Sequence, residues 1–445
     1  MIDEQIEDIN PETPLITGSV DIVKNSDVGP SMPILKSEQI AQREDMLAHI
    51  SGEVGVSDEE RLEIRRRFSD LVSTVLSWSN TNEHEIVSVD RLGGGFKNPV
   101  LLITSASGKQ FVAKGFSEQE GLTTTADAKE ILDRITLEDE ELIPKSEIFN
   151  DTLFSEKAKG VSVRSLVEKA VESLESQRLA ESALFSVGST LAFLHERTER
   201  PISKNDNLPE GVVDAALKDR KKIHKHIEQL DVAGLVGLSS EDMDAVLGAI
   251  DEFTEPIFIS LVHGDSHLDN FFHEQGGAFV EIVDYDDICE GDPMTDLGRT
   301  LQSLRYWCEQ FSIGDEVELC LTRSFVRGYE SIRIESELID GKGELDPQRV
   351  VVYGLRLVLV QLKLFSGLRE KLGKIGENLG MSECEIMTAP ELQSAMIEVN
   401  LTEDERIKFV TLRRLESNLR ETLLYFRPVS EIESFEVDDK IQVAV

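Results

Sequence analysis

Residues 261–287 read LVHGDSHLDNFFHEQGGAFVEIVDYDD. An apolar run ends at His263 and opens into a loop that holds Asp265 and Asn270. A short hairpin is expected next, and its second strand, Phe279 to Val283, delivers Asp284 at its end. Phosphoryl transfer needs three groups of this kind: a carboxylate near the attacking hydroxyl, and two oxygen ligands for the metal that accompanies a nucleotide. Asp265, Asn270 and Asp284 supply them in that chain order. A turn rich in Asp and Asn is common by itself. A simple turn does not explain acids placed between two apolar strand runs.

A second feature lies far upstream. Residues 87–114, VSVDRLGGGFKNPVLLITSASGKQFVAK, read as strand, glycine turn, strand, polar turn, strand, with Lys114 on the third strand. Gly93, Gly94 and Gly95 let a backbone approach a phosphate and tolerate positive φ. Pro99 cannot donate a ladder hydrogen bond, so it belongs at an edge or a strand start.

The glycine hairpin, the strand lysine and the HGD–N–D set together resemble the aminoglycoside phosphotransferase and choline kinase family, relatives of the protein kinases. The resemblance covers residues 85–310 by motif. It implies an α+β, two-lobed protein kinase-like fold, with a small antiparallel sheet in the N-lobe and a larger, mostly helical C-lobe. It also implies ATP and Mg²⁺ as cofactors. Lys114 would reach the α- and β-phosphates, Asp265 would take or orient the hydroxyl proton, and Asn270 and Asp284 would bind the metal. Asp286 matches the second acid of the family's D-x-D/E element, so metal assistance or loop bonding is its implied role. His263 and His267 match HGDxHxxN and would order the loop. Asp296, in a DLAR-like helix start, would cap that helix and tie the loop down. Glu130, on an expected helix over 125–137, would pair with Lys114, with Ile131, Leu132 and Ile135 facing the core around it. Residues 148–166 resemble the inter-lobe strand and hinge, where backbone groups from Glu156 to Ala158 would meet the adenine edge.

Other chemistries fit less well. His263 and His267 have a helical zinc spacing, but Gly264, Asp265 and Ser266 disfavour a helix there. His273 reads as a surface residue, and His195, in LAFLHER, as a packing one. Counting from Asp284, a calcium loop would need a glycine sixth and a glutamate twelfth, and both are missing. The chain has no Walker A pattern, and LGGGFKN is not GxGxxG. Relative to protein kinases, HGD stands for HRD, DYD for DFG, and no APE follows. The expected activity is ATP- and Mg-dependent phosphorylation of a small-molecule hydroxyl, on an aminoglycoside, amino sugar or amino alcohol. The rival readings are a nucleotide-binding pseudokinase scaffold and a kinase-like enzyme that modifies a protein.

The formal charge of -39 excludes the basic footprint that nucleic acid or an anionic membrane would require, and it favours a cationic substrate. The four cysteines form no CxxC pair, and MIDEQIEDIN carries no apolar leader. A cytoplasmic protein is expected. Residues 1–55 read as an acidic, disordered extension, 56–157 as the nucleotide-binding lobe, 158–427 as the helical lobe and 428–445 as a tail. Helices are expected over 56–80, with Leu62, Ile64, Phe68, Leu71, Val72 and Val75 on one side, and over 175–197. Further helices are expected over 210–230, 240–252, 296–312, 314–337, 346–373 and 402–427.

Overall fold

In VLLITS (100–105) and QFVAKG (110–115) every second residue is buried, the period of a strand with one face covered. These strands, β2 and β3, pair antiparallel with Val100 opposite Lys114. The strand before them, β1 (Ile86–Arg91), pairs antiparallel with β2. In the computed structural model the described residues are 58–82, 84–92, 98–116, 119–135, 142–201, 210–229, 239–253, 258–333, 347–364 and 419. Two compact units are present, and β1–β3 belong to the first, with residues 148–154. Two further strands, β4 (Ser146–Phe149) and β5 (Thr152–Glu156), extend the sheet in the order β1-β2-β3-β5-β4.

Helix α1 (Asp58–Thr81) covers one face of this sheet. Its Phe68, Leu71, Val72, Val75 and Trp78 share a buried cluster with Val89, Leu101, Ile103, Phe111, Ala113 and Phe154. Trp78 stacks on Phe154 at 4.3 Å and meets Phe111 edge-on at 5.2 Å. Such aromatic pairs add about 0.5–1.5 kcal/mol each beyond area burial. Leu62 departs from the expected face and is 66% exposed. It precedes Leu71 by nine residues, about two and a half helical turns, so the two side chains point to opposite sides. Pro99 stands immediately before β2, and its carbonyl accepts from Gly115 N–H at 3.0 Å. Alternation places Phe111 and Ala113 toward α1 and Lys114 on the other face.

The second unit is mainly helical. It contains α2 (Gln119–Ile135), α3 (Val163–Lys169), α4 (Leu174–Thr198), α5 (Glu210–Gln229), α6 (Ser240–Phe253), α7 (Met294–Gln310), α8 (Asp315–Arg333) and α9 (Pro347–Leu364). Residues 119–135 and 142–147, read from sequence as part of the nucleotide lobe, belong to this unit. Helices α4 and α8 cross on glycines: a Cβ at Gly188 would lie 2.1 Å from Phe325 O, and one at Gly328 would lie 2.0 Å from Phe185 O. Only a residue without a Cβ lets these backbones approach so closely. Ser162 and Ser173 cap α3 and α4 by accepting the Ser165 and Ser176 amides.

Two three-stranded ribbons carry the loops of interest. One has the order β10-β9-β6, from Glu281–Ile282, Phe271–His273 and Val161–Ser162. The other has the order β11-β8-β7, from Cys289–Gly291, Phe258–Val262 and Arg200–Pro201. The 263–270 loop runs from β8 to β9, and the 283–288 loop runs from β10 back to β11. Because β8 pairs with β11 and β9 with β10, the two loops emerge side by side. Gly93, Gly94 and Gly95, the 1–55 extension, the 402–427 helix except Leu419, and the 428–445 tail lie outside the described residues. Among the described residues, no helix is long and apolar enough to cross a membrane.

Candidate active site

Strand β8 ends at Val262, and the loop after it is held by a buried acid from α7. Asp296 accepts the His263 N–H at 2.7 Å and the Gly264 N–H at 3.0 Å. The Nε2 of His195 lies 3.0 Å from the same carboxylate, and its Nδ1 lies 3.0 Å from the Tyr329 hydroxyl. Burial alone would raise the Asp296 carboxyl, but His195 outweighs it by hydrogen bond and charge, with help from His263. Asp296 is therefore held below the ordinary range and stays ionised. Gly264 takes φ +78°, and a Cβ there would lie 2.2 Å from Asp287 O, so a side chain is excluded at this bend.

His263 joins the two loops, and its tautomer follows from its partners. Its Nδ1 accepts the Asp265 N–H at 3.2 Å, because a backbone amide can only donate. Its Nε2 must then carry the proton that it donates to Val283 O at 3.1 Å. Asn270 forms a second bridge. Its Nδ2 donates to Asp265 O at 3.0 Å, and its own carbonyl accepts Val283 N–H at 3.0 Å. With Nδ2 so used, Oδ1 is the amide atom left to serve as an oxygen ligand.

Asp265 itself keeps a half-exposed side chain, and its nearest ionic neighbour is His267 Nε2 at 3.6 Å. Asp284 is exposed and left-handed, with φ 57° and ψ 52°. Such a backbone persists in a non-glycine residue only when its surroundings over-determine it. An amide oxygen and a nearby carboxylate are hard donors that suit Mg²⁺, which retains waters and phosphate oxygens. Among the described residues no group of three or more His, Cys, Asp or Glu side chains is placed to hold a metal, so the zinc spacing of His263 and His267 has no supporting cluster.

A model of the phosphotransferase enzyme family (APH) matches residues 88–333, more than half of the chain. The chain belongs to that family. This phosphotransferase has the α+β, protein kinase-like composition that its sequence implies, a strand-rich unit and a mainly helical one. Among solved structures it is similar to a putative fructosamine-3-kinase from Thermobifida fusca, at 15% identity and TM-score 0.39, over 75% of this chain and 95% of that one. It is also similar to a Plasmodium vivax ethanolamine kinase, at 16% identity and TM-score 0.39, over 74% and 88% of the two chains. A third likeness is to an aminoglycoside phosphotransferase of Streptomyces rimosus in complex with ADP and streptomycin, at 15% identity and TM-score 0.37, over 58% and 90%. No curated protein gives a significant match.

Three features of the phosphotransferase differ from the sequence reading: the burial of His273, the cap of α7 and the length of the strand before Asp284. His273 is buried, at 3% exposure, and neither ring nitrogen has a hydrogen-bond partner among the described residues. It lies on β9, the middle strand of its ribbon, so both edges of that strand are paired. The capping of α7 falls to Asp292, whose Oδ1 accepts Met294 N–H at 2.9 Å, whereas Asp296 spends its carboxylate on the loop. Asp292 also pairs with buried Arg349 of α9; burial pushes its carboxyl up against the pull of that guanidinium. The strand before Asp284 is shorter than expected, Glu281–Ile282. Glu130 is exposed on α2, with Leu132 buried beside it and Ile131 half-buried. Asp286 accepts a hydrogen bond from Thr125 of α2 at 3.0 Å. Ala158 is buried and Glu156 half-buried. The neighbouring Lys159 N–H donates to buried Glu281 at 2.7 Å, an anchor that no local pattern announces.

His273 sets a testable pH dependence. Burial lowers its pKa from 6.5, so the native state keeps it neutral. As pH falls below about 6.5 the unfolded chain takes up this proton first, and stability falls with it. His273→Leu should remove that component. Urea midpoints between pH 7.5 and pH 5 should fall less steeply in the variant than in the wild type. Parallel profiles would contradict the assignment.

Proposed function

We propose that this protein transfers the γ-phosphoryl group of ATP, with Mg²⁺, to a hydroxyl of a small molecule. One observation supports this above the others: Asn270 bonds both the backbone of Asp265 and that of Val283, so the proton-accepting carboxylate and the metal donors are built as one unit. Asp265 would accept or orient the hydroxyl proton as the oxygen attacks. Asn270 Oδ1 and Asp284 would hold the ion, whose charge neutralises the phosphate oxygens during transfer. Lys114, on the sheet face away from α1, would meet the α- and β-phosphates as a point charge. Gly93, Gly94 and Gly95 would let the backbone approach the phosphates, and backbone groups of residues 156–158 would meet the adenine edge.

The net charge of -39 favours an acceptor that carries amines, such as an amino sugar, an aminoglycoside or an amino alcohol. The test is Mg-dependent ADP release from ATP against pools of these compounds and of neutral sugars. Stimulation by one pool is the expected result. Silence across all pools, with no ATP binding by calorimetry, would transfer the reading to a scaffold without activity.

A further inference from the structure

Asp284 sits between two sets of restraints. On its N-terminal side Val283 is bonded at both its amide and its carbonyl, to Asn270 and His263. On its C-terminal side Ile288 N–H donates to Tyr285 O at 3.3 Å. Residues of 119–135 and 142–147, distant in the chain, reach the same turn. Leu142 O accepts from Ile282 N–H at 2.7 Å, Ser146 Oγ lies 3.3 Å from the Tyr285 hydroxyl, and Thr125 Oγ1 donates to Asp286 Oδ1 at 3.0 Å.

Thr125 ties α2 to the turn through its side chain. Thr125 is fully buried, and its hydroxyl reaches a carboxylate 161 residues further along the chain. The bond ends two residues past the left-handed Asp284.

We infer that Thr125 is a positioning residue for the metal loop: through Asp286 it fixes the left-handed turn that aims Asp284. Asp286 then acts as the tether, and Asp284 as the ligand. This rests on the proposed reading of Asp284 as a donor to the nucleotide's metal. The contact also makes α2 a lever on metal affinity, because any movement of that helix reaches the loop through this bond.

The test uses the full chain with ADP, and Mn²⁺ as a spectroscopic stand-in for Mg²⁺. Bound ion is read by electron paramagnetic resonance and folding by melting temperature. Outer partners of metal ligands govern affinity by about 10- to 100-fold. Thr125→Val, which keeps shape and loses the donor, should raise half-saturating Mn²⁺ by about ten-fold, the lower end of that range. Thr125→Ser should bring it back to within about two-fold, and Thr125→Val should add nothing to Asp286→Ala, since both remove one contact.

A Thr125→Val protein that melts lower yet binds Mn²⁺ like the wild type would overturn the inference. A serine variant as weak as the valine one would overturn it too. If Thr125→Val does not fold, Asp286→Asn retains the Oδ1 acceptor and should bind Mn²⁺ more tightly than Asp286→Ala; equal weakness in both would refute the tether. Failure of the underlying metal reading is separable: the wild type itself would then take up no Mn²⁺ with ADP.

Discussion

Asp265→Asn should lower kcat by about 10²- to 10⁴-fold while leaving the melting temperature within about a degree or two of the wild type. Both halves follow from how the residue is held. Its backbone makes the loop's bonds: N–H to His263 Nδ1, and O accepting from Asn270 Nδ2 and His267 N–H. Its side chain is 46% exposed and has His267 at 3.6 Å as its ionic neighbour. Changing carboxylate to amide therefore removes the proposed proton acceptor without touching the scaffold. Exposed substitutions of this kind usually shift stability by no more than about 0.5 kcal/mol. A loose, dissociative transition state demands little of a base, which would place the loss toward the lower end of the range. The measurement is steady-state ADP release with the acceptor found in the pool assay, beside a thermal melt. Turnover within ten-fold of the wild type would remove Asp265 from the chemistry.

What the sequence showed and what it hid divide along the range of the interactions. Helices with a sustained apolar period were readable to within a few residues, as over 240–252, where α6 spans Ser240–Phe253. VLLITS and QFVAKG lie in the stretch read as strand, polar turn, strand, and β2 and β3 stand there. Leu62 failed because it was grouped by hydrophobicity, while its angle to Leu71 already set it apart. His273, read as a surface residue, failed because nothing local to its three-residue strand says which side chains the rest of the fold covers.

The contacts that organise the loops are longer in range still. Thr125 with Asp286, Asp292 with Arg349, and Gly188 with the Phe325 carbonyl join residues far apart in the chain. A threonine, an arginine or a helix glycine carries no periodicity that names its partner. Motifs revealed the groups suited to the chemistry, because those lie within 20 residues of one another between Asp265 and Asp284. Of the residues that hold those groups in place, Asp296 was signalled by its DLAR-like helix start, whereas Thr125 and Tyr329, on other helices, carried no such signature.

Asp296→Ala should be the most damaging change to stability. The carboxylate is fully buried and accepts two backbone amides and, from His195, an imidazole N–H. Deleting it leaves the His263 and Gly264 amides and a histidine nitrogen facing a void. Breaking a buried charged pair on one side costs about 3–5 kcal/mol, much of it the desolvation of the groups left behind. Activity should fall with stability, because the freed amides belong to the residues just before Asp265. The pH dependence follows from the lowered carboxyl: its contribution is complete above the unfolded value of about 3.9 and is lost as pH falls through the lower folded one. The gap between wild type and variant, from urea unfolding, should therefore stay constant from pH 8 to pH 5 and close only in stronger acid. Asp296→Asn separates charge from shape. It can still accept one amide but turns an NH₂ toward another donor, so a loss comparable to alanine's is expected. An asparagine variant close to the wild type, or an alanine variant within about 1 kcal/mol of it, would show that the buried carboxylate is not what holds this loop.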